Sequence, residues 1–130
     1  MPQSVTYEGS VMRYRLWGIV TKQDLADLSV TGRTLERSFP IIPSRIVDFS
    51  ELTNIEDGYY AMLGLVDRRK KEVFPNRFRT AMYAKNPLQF GLSRMFQTLN
   101  DNPQIEVRIF ETEAAALAWL ASGQLELAES

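Results

Sequence analysis

The chain has 130 residues, 45% of them hydrophobic and 24% charged, which suits one globular domain with a sizeable core and argues against a disordered segment. Fifteen basic residues against sixteen acidic ones leave a net charge of −1, without the basic excess of a general nucleic-acid binder. Neither cysteine nor histidine occurs, which excludes disulfides, thiolate sites, serine–histidine triads and histidine zinc motifs.

Carboxylates and lysines are left as catalytic groups, so a binding role is expected before an enzymatic one. No cofactor and no metal site is implied. Met1-Pro2-Gln3-Ser4 lacks the charged and apolar regions of a signal peptide. No apolar run approaches the roughly 18 to 20 residues that cross a bilayer. A cytoplasmic protein is the expectation.

In chain order, residues 4–8 read as a short strand closed by a Gly9-Ser10 turn. From Met12 to Val20, Met12, Tyr14, Leu16 and Gly18 alternate with Arg13 and Arg15 before Trp17, the period of a strand with one buried face. Thr21 stands at an N-cap position with Asp24 three residues on, a capping-box pattern. Leu25, Leu28, Gly32, Leu35 and Phe39 then predict a helix over about 22–38, with Gly32 permitting a close contact and Pro40 and Pro43 ending it.

Ser44 to Phe49 predicts a central strand covered on both faces, followed by a polar turn over Ser50 to Asp57. Tyr59, Met62, Leu63 and Val66 mark one face of a helix over about 57–71, which ends in the basic run Arg68-Arg69-Lys70-Lys71. Arg79 to Ala84 is a strand. Asn86-Pro87 is a strong helix start, and Leu88, Leu92, Met95, Phe96 and Leu99 give that helix its apolar stripe. Ile105 to Phe110 is the last strand. Thr112 caps a final helix predicted to end near Ser122 with Gly123 at C′, leaving Gln124 to Ser130 as a frayed tail. The order of elements predicts a single α/β domain over residues 1–123: a mixed sheet of about five strands packed with about four helices.

Several side-chain groups invite function. Glu51, Glu56 and Asp57 gather carboxylates near one turn, although helix capping explains acidic residues there more simply. Lys85 and Asn86 begin a helix whose free N–H groups could hold an anion, against the plainer reading of Asn86 as an N-cap. The basic run, with Arg77 and Arg79 nearby, could meet phosphate or lipid headgroups. Phe74 and Phe78 are the aromatic residues that base stacking would need. Tyr59, Phe90 and Met95 offer apolar surface for a ligand or a homodimer interface.

The motif Val47-Asp48-Phe49-Ser50, with Ile55-Glu56-Asp57-Gly58-Tyr59 after it, resembles the STAS domain of bacterial anti-sigma-factor antagonists, in particular its SpoIIAA-like, SEC14-related group. The runs Ala84 to Phe96 and Ile109 to Leu120 extend the resemblance over about Tyr14 to Ala121. It implies a regulatory protein-interaction domain whose partner meets Ser50, Asn54, Glu56, Asp57, Gly58 and Tyr60. The family's phosphorylatable serine falls on Gly58, and Asp57 replaces the serine before it. No serine or threonine occurs between Asn54 and Arg79. Constitutive recognition is therefore expected, with Asp57 as a fixed negative charge at a helix start. The SEC14 relationship implies an alternative: lipid or apolar-ligand binding in a cavity of several hundred Å³ between the sheet and the helices carrying Tyr59 and Phe90. An enzyme using Asp48, Glu56 or Lys85 has the least support.

Overall fold

The computed structural model describes residues 2–70 and 72–129, and for residues 68–70 and 124–129 the course of the backbone alone. The elements run β1 (Gln3–Glu8), β2 (Val11–Val20), α1 (Lys22–Glu36), β3 (Arg45–Ile55), α2 (Gly58–Lys70), β4 (Phe78–Tyr83), α3 (Pro87–Leu99), β5 (Ile105–Phe110) and α4 (Glu113–Glu129). They form the expected α/β domain of five strands and four helices. The strands lie in chain order, β1 antiparallel to β2 and the rest parallel.

Topology dictates the layers. Three successive crossovers of one hand, all stepping the same way across the sheet, must place α1, α2 and α3 on one face. α4 follows the last strand and returns over the other face, where Ala116 and Leu120 pack on Ile46, Ala81 and Tyr83. The larger core lies beneath the three crossover helices, with Met12, Tyr14 and Leu16 of β2 meeting Leu25 and Leu28 of α1 and Met62 of α2.

Local chemistry sets the element ends. Gly9 and Ser10 both adopt positive φ, the requirement of a tight two-residue hairpin. Thr21 with Asp24 opens α1 as the expected capping box, and Asn86, the expected N-cap, opens α3 below Pro87 in a second box with Gln89 that was not foreseen. Gly32 permits the close contact foreseen for it, because a Cβ there would meet Tyr14 Oη at 2.6 Å.

Three expectations need correction. β3 does not end at Phe49 but continues to Ile55, so Ser50 and Asn54 are strand residues. Its second half pairs with β2 through two irregularities: Asp48 to Glu51 faces Arg15 to Trp17, and Leu52 to Asn54 faces Gly18 to Ile19. An extra residue in β3 at each place breaks the alternation by which a strand is recognised. Tyr59 and Leu88, each the first member of its helix's apolar stripe, are exposed, although Met62 and Val66 of α2 and Leu92 of α3 in the same stripes are buried. Finally, α4 runs through Gly123 to Glu129. Gly123 has no positive φ, so it is not a helix terminator. A Cβ there would lie 2.7 Å from Arg79 Cδ, so its lack of a side chain makes room for Arg79.

Candidate protein-docking site

The proposed partner surface forms at the carboxyl ends of β2 and β3, where the chain enters α1 and α2. Glu56 N–H donates to the Val20 carbonyl at 2.8 Å, tying the two strand ends together. The turn then narrows to Asp57, whose φ of 52° is left-handed and whose carbonyl accepts the Ala61 N–H at 2.9 Å. A non-glycine residue held in this region stores strain. Its carboxylate projects into solvent 3.8 Å from Lys22 Nζ.

Gly58 begins α2 against α3: a Cβ there would lie 3.3 Å from Leu92 Cδ2. A serine at residue 58 would need Leu92 to give way by a few tenths of an ångström. Tyr59 and Tyr60 are 52% and 68% exposed, and their rings meet edge to face at 5.4 Å. Lys22 Nζ lies 5.9 Å from the centre of the Tyr60 ring. Two exposed aromatic rings, one cation and one carboxylate thus share the turn and the two helix starts beside it.

Other expected site residues divide from this group. Ser50 is turned inward to Asp48, donating from both N–H (2.9 Å) and hydroxyl (2.6 Å) to Asp48 Oδ1. Asn54 is exposed on the strand, paired in register with Ile19. Asp48 is buried, with Arg13 at 3.5 Å and Arg15 at 4.0 Å, and Arg13 also reaches Glu113 of α4. These partners make Asp48 a tie between β2, β3 and α4, while Glu56 and Lys85 stand exposed.

At the start of α3 the donors an anion would use are engaged. Gln89 Oε1 accepts the N–H groups of Lys85 (2.7 Å) and Asn86 (3.2 Å), and Asn86 Oδ1 accepts that of Gln89 (2.9 Å). Gln89 is fully buried and also donates to the Leu52 carbonyl at 3.0 Å, locking α3 to β3. Sequence reasoning missed this residue; the signal was its place three residues after Asn86, the capping-box position. Phe90 and Met95 are half-buried, Met95 against the main core.

Beneath α1, α2 and α3 lies a cavity of about 70 Å³ lined chiefly by apolar side chains, including Leu28, Met62 and Phe96. That is smaller than the several hundred Å³ expected of a lipid carrier. Phe74 and Phe78 are buried against one another at 5.0 Å, where no base could stack on them. The side chains of Arg68, Arg69 and Lys70, and the whole of Lys71, lie outside the described residues. Among the described residues no cluster of three or more carboxylates could hold a metal ion, and no helix is long and apolar enough to cross a membrane.

The sheet order, the helix layers and the turn before α2 define a SpoIIAA-like, STAS-type α/β fold. An uncharacterised protein of the DUF3478 family with a SpoIIAA-like fold, from Shewanella loihica PV-4, superimposes with a TM-score of 0.61 at 20% identity, with 91% of each chain covered. The Bacillus cell fate determinant SpoIIAA, in its phosphorylated form, matches with a TM-score of 0.53 at 16% identity, over 90% of this chain and 97% of that one. No protein-family model matches the chain, and no curated protein matches it by sequence.

Proposed function

We propose that the chain is a non-enzymatic, regulatory STAS-type interaction domain of the cytoplasm, which docks a protein partner on the Glu56–Asp57 turn and the first turn of α2. The observation that carries this reading is the exposed Tyr59–Tyr60 pair beside Lys22 and Asp57. Tyrosines combine large rigid contact area with a polar tip, and they recur where protein interfaces concentrate their binding energy. The SpoIIAA-like fold supports the same reading.

Recognition is constitutive, since residues 57 and 58 carry no hydroxyl that could be phosphorylated. The reading is tested by capture from lysate of the source cell. Asp57→Lys with Tyr60→Ala should abolish retention of a specific protein while the far-ultraviolet circular dichroism stays unchanged. Undiminished capture by a folded double variant would refute the surface.

A further inference from the structure

The two edges of the sheet are finished differently. β4 pairs with β5 through alternate residues: Phe78 N–H donates to the Gln104 carbonyl and Ala84 N–H to that of Phe110. Ile105 and Val107 therefore point their backbone groups outward. Both carbonyls are taken by α3 and its C-cap, since Gln97 Nε2 donates to Val107 O at 2.9 Å and Asn100 Nδ2 to Ile105 O at 3.0 Å. Covering an edge in this way blocks the addition of a further strand.

β1 has no such cover among the described residues. Trp17 N–H donates to the Pro2 carbonyl, which fixes the parity of the antiparallel ladder: Pro2, Ser4, Thr6 and Glu8 bond inward to β2. Gln3, Val5 and Tyr7 consequently aim their N–H and C=O groups away from the sheet. The strand has an unbroken register with β2, and it contains no proline, lysine or bulge. Those are the devices that usually blunt an edge.

We propose that β1 pairs antiparallel with β1 of a second copy of this chain, joining the two sheets into one. The register centred on Val5 sets Val5 opposite Val5, Gln3 opposite Tyr7 and Ser4 opposite Thr6. It alone engages all three outward-facing residues, and it leaves no like charges opposed, because Glu8 falls opposite Pro2. It also answers a buried polar atom. Gln3 is 9% exposed and its Oε1 accepts no hydrogen bond among the described residues. Tyr7 of the second copy, on the same sheet face, brings a hydroxyl donor to that side. The inference is independent of the partner surface on α2.

Light scattering over a concentration series tests it. Wild type should rise to twice the monomer mass, whereas Val5→Pro should stay monomeric, since residue 5 donates nothing to β2. The chain has no cysteine of its own. Ser4→Cys combined with Thr6→Cys should therefore give a covalent dimer on oxidation, because paired residues across such a ladder lie within disulfide reach. Either substitution alone should not. A wild type that stays monomeric, a folded Val5→Pro that remains dimeric, or cross-linking by one cysteine alone would overturn the proposal. Should Val5→Pro unfold, the cysteine pair decides.

Discussion

Tyr14 fills the space that a side chain at Gly32 would need: a Cβ there would lie 2.6 Å from Tyr14 Oη and 2.8 Å from its ring. Glycine in a helix interior normally costs about 1 kcal/mol relative to alanine. Here the contact reverses the sign, because Tyr14 is buried and its hydroxyl reaches Glu36 at 3.1 Å. Gly32→Ala should destabilise the protein by about 1–3 kcal/mol in urea unfolding, the range of overpacked cores. Gly91→Ala in α3, where a Cβ meets nothing within 4 Å, should instead stabilise by up to about 1 kcal/mol.

Glu36 and Arg45 form an almost wholly enclosed ion pair at 2.8 Å, with the guanidinium lying over the Phe78 ring. Removing one partner of such a pair leaves a charge in a medium that cannot solvate it. Glu36→Ala should lose about 3–5 kcal/mol in the same unfolding assay. Glu36→Leu with Arg45→Met, which removes both charges, should recover most of that loss.

Asp57 is held at positive φ, a conformation that glycine adopts without penalty. Its contact with Lys22 is solvent-exposed and contributes little. Asp57→Gly should therefore raise stability by about 0.5–1 kcal/mol. The same variant should retain less partner, since it deletes the fixed carboxylate. Unchanged capture with raised stability would assign Asp57 to backbone strain and not to recognition.

Much of the fold was legible because short-range rules met no opposition. The alternation of Met12, Tyr14 and Leu16 against two arginines survives intact, and Thr21 and Asn86 cap their helices where the sequence placed them. The carboxyl half of β3 was not legible. It outruns β4, with which it pairs over Arg45 to Asp48, so Glu51, Thr53 and Asn54 face water and read as a turn. Tyr59 shows a second limit: an aromatic residue in a helical stripe suggests core, yet Tyr59 is exposed while Met62 and Val66 of the same stripe are buried.

The residues assigned to the candidate site divide in the fold. Glu56, Asp57, Gly58 and Tyr60 do cluster, whereas Ser50 turns inward to Asp48. Gln89 shows the limit of composition-based reasoning. A buried glutamine is unfavourable in isolation, and its place is justified by four partners that only the fold assembles.

Protein recognition at the start of α2 is open to site-specific photo-cross-linking in the source cell. A photoreactive amino acid in place of Tyr60 should trap one protein species on irradiation. The same group in place of Val73, 90% exposed beyond the other end of α2, should not. No cross-linked species from residue 60, or the same species from both positions, would rule out docking at the start of α2.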